Sequence, residues 1–205
     1  VISRGTDIVA ARFPTIDTVV AEGNRPGFEV GDTIQVRGSN LDGEVELRFV
    51  HRSMPEVVMK AIGGDVPGEV KATIGIDPAV WAAGTYAVDV IVRRPGAMAL
   101  ATNEIAMPLA PRITSVNPTS VAAGAITLTV TTEPVIRPSQ RVSLLFGSQQ
   151  VPAEPTAEPT GSMVFHLNAN EPGTYLVRMR VDGVDSLPVD RSVQPFRFDD
   201  RQKVR

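Results

Sequence analysis

The chain has 205 residues, and its 20 Lys and Arg against 23 Asp and Glu leave a net charge of −3. It therefore lacks the basic excess on which nucleic-acid binding by counterion release draws. It has no cysteine, which excludes thiol catalysis, Cys-ligated zinc and a disulfide framework and fits a reducing compartment. With 42% hydrophobic and 21% charged residues it belongs with folded rather than disordered chains. Its length suits two β domains of about 100 residues each, and no apolar run reaches the roughly 18–20 residues of a membrane span.

In chain order, residues 1–13 mix charge and Gly without register and are assigned to a linker from an upstream domain. The chain opens on Val1 without a signal-peptide pattern, which predicts a fragment or a processed product. Thr33–Arg37 and Glu44–Phe49 then alternate apolar and polar residues, as does Ile126–Thr131 in the second half. Successive side chains of a strand point to opposite faces, so each run has one buried and one wet face. The 17 Gly and 17 Pro fall between such runs, the punctuation of an all-β chain. Ile62–Glu69 reads as a turn-rich loop. Asp77–Ala83 reads as a single turn, with Pro78 suited to its first helical position. Pro152–Gly161 carries Ala-Glu-Pro-Thr twice, and its prolines cannot donate to a central ladder, so an extended hairpin tip is expected. The final stretch, Phe196–Arg205, reads as a charged tail, solvated or docked on a neighbour.

An internal repeat sets the domain count. Pro14–Val19 recurs as Pro111–Val116, and Gly84-Thr85-Tyr86 recurs as Gly173-Thr174-Tyr175. The expected architecture is all-β, two tandem immunoglobulin-like β-sandwiches of the IPT/TIG-like kind. Residues 14–110 form the first and 111–198 the second, with a charged tail over 199–205. The Gly is expected to make the turn into a late strand. The Tyr packs inward, its hydroxyl bonding a nearby turn as in a tyrosine corner. Val88, Val90 and Val92, and likewise Val177, Met179 and Val181, then face their cores. Leu176 and Ile91 fall on outward faces and are the candidate apolar contacts for a partner.

No constellation for catalysis emerges. His51 lies near Ser53 and Asp65 but no nucleophile elbow accompanies them, and a partly exposed structural residue at a strand end is expected. His166 sits between Phe165 and Leu167, so an inward-facing pair turns it outward. Asp182-Gly183-Val184-Asp185-Ser186 has too few oxygens for calcium, and Asp182-Gly183 is a hairpin-turn signal. Asn40–Gly43 reads as a turn, Asp199-Asp200 as tail charge, Arg93-Arg94-Pro95-Gly96 as a small solvated basic turn, and Trp81 as a core plug. Phosphate-binding glycine loops are absent from the sequence. The chain is therefore read as non-enzymatic, with no catalytic, cofactor or metal-ligating residue assigned.

Several phrases together carry a family resemblance. They are Phe13–Val19, Val30–Ile34, Arg37–Gly43, Arg93–Gly96, Ala110–Ile113, Arg137–Gly147 and Gly173–Leu187. Over nearly all of residues 13–200 the chain resembles the C-terminal region of bacterial proteins that open with a conserved domain of unknown function. That domain is similar to the tail-terminator, or tube-cap, protein of phage-tail-like contractile injection systems. The resemblance implies a structural or assembly role as the immunoglobulin-like pair of a cap subunit. Its implied partners are tube, sheath and neighbouring cap subunits, with ring assembly through the N-terminal domain that this chain lacks. It implies a cytoplasmic particle that the cell can release, and it maps no catalytic residue here. The alternative from a different class is a tandem adhesin or carbohydrate-binding module of a bacterial surface or secreted protein.

Overall fold

In the first half, alternating residues build β1 (Thr15–Ala21), β2 (Thr33–Ser39), β3 (Glu44–His51), β4 (Val57–Lys60), β5 (Ile62–Gly63), β6 (Glu69–Thr73), β7 (Gly84–Arg93), β8 (Leu100–Ala101) and β9 (Ile105–Leu109). This computed structural model describes residues 13–23, 27–169 and 173–205. All of the linker assigned to 1–13 except Phe13 lies outside them. One sheet runs β1-β2-β6-β5 and the other β4-β3-β7-β8, with β9 also on β7. Their facing stripes make the core. Ile16, Ile34, Val36 and Val70 come from one sheet, and Leu47, Phe49, Val88, Val90 and Val92 from the other. Trp81 plugs this core, edge-on to Phe49 with ring centres 5.3 Å apart.

The second half repeats the plan with β10 (Arg112–Asn117), β11 (Gly124–Ile136), β12 (Val142–Phe146), β13 (Gln149–Pro152), β14 (Thr160–Ala169), β15 (Tyr175–Val181), β16 (Val184–Asp185), β17 (Val189–Asp190), β18 (Arg197–Phe198) and β19 (Lys203–Val204). Its sheets run β10-β11-β14 and β13-β12-β15-β16, with β19 also on β15. A second buried cluster lies between them, including Leu128, Val130, Phe165, Leu144, Phe146, Val177 and Met179. The chain is thus all-β, a pair of immunoglobulin-like sandwiches in tandem. Among the described residues no helix is long and apolar enough to cross a membrane.

The repeated Gly-Thr-Tyr does its expected work in the first sandwich. Tyr86 is fully buried. Its hydroxyl accepts from the Ala82 N–H at 3.0 Å and donates to the Ala82 carbonyl at 3.1 Å. Gly84 has φ +141°, and a Cβ there would stand 2.5 Å from His51 Nε2, so only glycine fits. In the second sandwich Tyr175 is half-buried and stacks on Phe146 with ring centres 4.3 Å apart.

The charged tail is a correction. Residues 199–205 are not an appendage, although Asp200, Arg201 and Arg205 are exposed. Lys203–Val204 pairs with Tyr175 and Leu176, Val204 is fully buried in the second core, and Asp199 and Gln202 are buried too. The Arg205 N–H donates to the Thr119 carbonyl at 2.8 Å, and the Val121 N–H to the Arg205 carbonyl at 2.6 Å. The first sandwich ends alike, with Phe28 bridging Leu109 in parallel and the Ala110 N–H donating to the Phe28 carbonyl at 2.7 Å. The tail is the closing strand of its sandwich. Its charges misled because only Val204 of that strand faces inward.

Candidate functional site

The two sandwiches meet through polar side chains that the sequence keeps far apart. Asp182 and Gly183 are the central residues of the β15–β16 hairpin, with φ of 49° and 91°. Positive values at both positions are what a tight primed turn needs. The turn reading is therefore right, but the Asp182 side chain is 5% exposed and accepts from Arg52 Nη2 at 2.6 Å. Arg52 belongs to the corner after β3, so this ion pair spans the junction. Gln140 Nε2 donates to the Ala83 carbonyl at 2.7 Å. Arg137 donates to the carbonyls of Pro78 at 2.7 Å and Trp81 at 3.3 Å. These acceptors sit on the turn that begins at Asp77, whose carbonyl accepts from the Val80 and Trp81 N–H groups. Ala83, in sequence part of the first sandwich, packs in the second core.

His51 lies at the end of β3 as expected but is 5% exposed, not partly exposed. The Gly84 turn and the Tyr86 ring cover it, with ring centres 4.8 Å apart. Its Nδ1 accepts from the Ser53 N–H at 3.3 Å. Burial holds its pKa below the ordinary histidine value; Asp182 opposes this, and Arg52 and Arg137 add to it. Asp65, grouped with it in sequence, instead binds Lys71 Nζ at 2.8 Å. No catalytic grouping forms around His51 among the described residues.

His166 points outward as expected. Thr127 Oγ1 stands 3.0 Å from its Nδ1 and Glu154 Oε1 2.5 Å from its Nε2. A hydroxyl, an imidazole and a carboxylate in line have the outline of a catalytic triad. The register explains them more simply, since Thr127 and His166 are direct cross-strand partners on β11 and β14. The imidazole is 61% and the Glu154 side chain 52% exposed, so water screens the chain of bonds.

The basic turn is also corrected. Arg93 pairs with Glu46 at 3.0 Å, and Arg94 reaches Asp42 at 3.1 Å and the Asn40 carbonyl at 2.6 Å. Arg94 thus closes the Asn40–Gly43 turn, and Arg93, though 50% exposed, is tied to β3 through Glu46. Leu176 and Ile91 are half-buried, Leu176 lying beside the β19 strand. Among the described residues no group of three or more His, Asp or Glu side chains is placed to hold a metal ion.

Sequence reasoning missed a cleft of about 610 Å³ between the sandwiches. Glu29 and Asp32 of the first sandwich form one wall; the segment from Leu187 to Gln202, with Arg112, forms the other. Arg191 joins the walls, with Nη1 3.1 Å from Glu29 Oε2 and 3.0 Å from Asp32 Oδ2, and Nη2 3.1 Å from Asp32 Oδ1. The side chains of Arg191, Glu29 and Asp32 are 9%, 11% and 9% exposed. Burial pushes the Glu29 carboxyl up, while Arg191 and Arg112 pull it down without cancelling that rise. Burial also pushes Asp199 up, but the Arg201 guanidinium outweighs it and holds that carboxyl below its usual range. No local motif announces this triad, because Arg191 lies about 160 residues from Glu29 and Asp32, a separation that only the tertiary fold closes.

Residues 111–205 match a family described as a domain of unknown function, DUF8756. Curated proteins yield no match. Two solved structures are similar to the chain. One is the Bacteroides ovatus mixed-linkage glucan utilization locus protein SGBP-B in complex with a mixed-linkage heptasaccharide. It has 14% identity and a TM-score of 0.31 over 87% of this chain and 43% of that one. The other is a DUF4785 family protein from Legionella pneumophila, with 14% identity and a TM-score of 0.37 over 80% of this chain and 52% of that one. The chain thus spans about half the length of these proteins, and likeness at this level carries nothing about ligand or role.

Proposed function

We propose that the chain is a non-catalytic structural module, two sandwiches held at a set angle, and that it serves as the C-terminal immunoglobulin-like pair of a cap subunit in a contractile injection system. The observation that carries the structural reading is the buried junction. Arg191 clamped between Glu29 and Asp32, the Arg52–Asp182 pair and Ala83 in the second core replace the free tether of a flexible linker. The narrower cap reading rests on the sequence phrases. Two of them, Arg137–Gly147 and Gly173–Leu187, contain the junction residues Arg137, Gln140 and Asp182. A non-catalytic role is supported by a buried His51 packed on Tyr86 and a His166 whose partners are screened surface groups.

The partners proposed are tube, sheath and neighbouring cap subunits of a cytoplasmic particle. The test is mass spectrometry of purified contractile particles from the source cells, with labelling to find the position of the chain. The expected result is the chain at the tube end in a fixed ratio to the tube protein. Its absence from intact particles refutes the cap reading. The second reading, a tandem adhesin or carbohydrate-binding module, is favoured by one observation, the cleft between the sandwiches.

A further inference from the structure

We propose that β4 is an assembly edge, on which β4 of a second copy of this chain pairs antiparallel about a twofold axis at Val58. This goes beyond the cap reading and does not depend on it.

β4 (Val57–Lys60) is the last strand of the sheet β4-β3-β7-β8, so one of its sides carries no partner strand. The Ala61 N–H donates to the Val45 carbonyl at 2.9 Å, which turns the backbone groups of Ala61 toward β3. Backbone groups point to alternate sides along a strand. Val57 and Met59 therefore bond β3, and Glu56, Val58 and Lys60 turn their N–H and carbonyl groups to the open side. Such a row is a template for another strand, and the chain blocks it elsewhere. The Asn103 side chain takes up the N–H and carbonyl of Ile16 on β1. The Gln149 side chain takes up the Asn168 carbonyl on β14 at 2.7 Å. β4 has no such cap among the described residues; its guard is the charge of Lys60, whose side chain is 76% exposed.

That guard matches one partner, the same edge of a second copy. The edge reads Glu56-Val57-Val58-Met59-Lys60. Laid antiparallel on itself with Val58 opposite Val58, it sets each Glu56 opposite a Lys60 and each Val57 opposite a Met59. The outward backbone groups of one strand then meet those of the other, because 56, 58 and 60 share one phase. Sliding the second strand by two residues either way loses both charge pairs. The two charges are accessible for this pairing. Glu56 is 50% exposed and 3.9 Å from Arg48, and Lys60 is 3.6 Å from Glu44, long surface contacts that contribute little. Opposite charges directly across a ladder stabilise it and like charges oppose it. On the inner face Val57 and Met59 are half-buried against the first core, so the pairing carries that core on into the second copy. On the outer face Val58, 46% exposed, meets its own counterpart. A twofold axis makes the contact self-complementary and closes it at two copies.

The test is sedimentation equilibrium of the full chain up to millimolar concentration, since one strand pair is a small interface. The expected result is a reversible monomer–dimer equilibrium that stops at two copies. Hydrogen exchange is expected to slow at the Val58 and Lys60 amides as concentration rises, while the Met59 amide, already bonded to β3, does not change. Val58→Pro removes an outward N–H and no bond to β3, and is expected to weaken dimerisation about tenfold or more. Glu56→Lys and Lys60→Glu each set like charges across the axis and are each expected to weaken it about tenfold. An equimolar mixture of these two variants is expected to recover the wild-type affinity, because each strand then meets the opposite charges. That recovery separates a lost pairing from a damaged fold. Four results overturn the proposal: a chain that stays monomeric, a dimer indifferent to Val58→Pro, a mixture no tighter than its components, or growth beyond two copies. The particle experiment reads none of these quantities, so failure here and failure of the cap reading are separate outcomes.

Discussion

Tyr86 and His51 show how much a single corner residue sets. The Tyr86 hydroxyl is the partner of both backbone groups of Ala82. Removing it leaves a buried N–H and a buried carbonyl unmet. Tyr86→Phe is therefore expected to cost about 1–3 kcal/mol, read as a lower urea midpoint with an unchanged slope. His51 makes the same corner pH-sensitive. Its folded pKa is depressed by burial, so the unfolded chain takes up the proton first as pH falls. The stability it contributes is full above the unfolded value of about 6.5 and is lost as pH drops from there toward the folded value. The facing charges are Asp182, Arg52 and Arg137. His51→Asn keeps an acceptor for the Ser53 N–H and cannot titrate. It is expected to flatten the loss of stability between neutral and mildly acid pH. An unchanged slope assigns the titration to another group. His166, by contrast, is an exposed cross-strand partner, and His166→Ala is expected to move stability by no more than about 0.5 kcal/mol.

At the scale of elements, alternation made the strands legible. Val88, Val90 and Val92 and their counterparts Val177, Met179 and Val181 are all essentially fully buried, because period 2 is a property of the backbone and not of context. The closing strand of the second sandwich was not legible. Two residues carry no period, and the charges beside Val204 read as solvent-facing when Arg201 and Lys203 are in fact tied to Asp199 and Asp200. Only comparison with the end of the first sandwich, where Leu109 and Ala110 meet Phe28, held the signal. Val204→Ala is expected to destabilise the second sandwich by about 2 kcal/mol, the loss of two buried methyl groups and the cavity they leave. Tryptophan fluorescence does not report that loss directly, since Trp81 belongs to the first core. Hydrogen exchange at Val177 and Met179 does. Edge strands also carry devices that alternation hides. The Asn103 side chain bonds both the N–H and the carbonyl of Ile16 on β1. Thr160, Glu154 and Gln149 take up backbone groups of Ser162, Val164 and Asn168 along β14. Each blocks a place where another strand would add.

At the scale of the whole molecule the question is whether the sandwiches move. Sequence placed only Ala110 and Pro111 between them, which limits a tether's reach but sets no angle. The angle is set by Arg191 and by the Arg52–Asp182 and Gln140–Ala83 contacts, and of the ion pairs only that of Arg191 is buried on both sides, since Arg52 is 54% exposed. Arg191→Ala strands Glu29 and Asp32 in a site about nine-tenths closed to water. Breaking a buried pair in this way costs about 3–5 kcal/mol, of the order of half the stability of a typical domain. The expected result is a broadened distance distribution in small-angle scattering, with far-UV circular dichroism unchanged because neither β-sheet core contains Arg191. A wild type that scatters as one rigid body and a variant that does not would place the rigidity in this triad. Identical scattering from both would place it in the Arg52 and Gln140 contacts instead. The neutral triple change Glu29→Gln, Asp32→Asn and Arg191→Met separates charge from packing. It leaves no stranded ion and keeps an acceptor for the Glu29 N–H, which Asp32 Oδ2 now accepts at 2.8 Å. Its stability is expected to return to within about 1 kcal/mol of wild type. Its scattering then decides the point: a broadened distribution means the ion triad fixes the angle, and a wild-type one means apolar filling of the same space is enough.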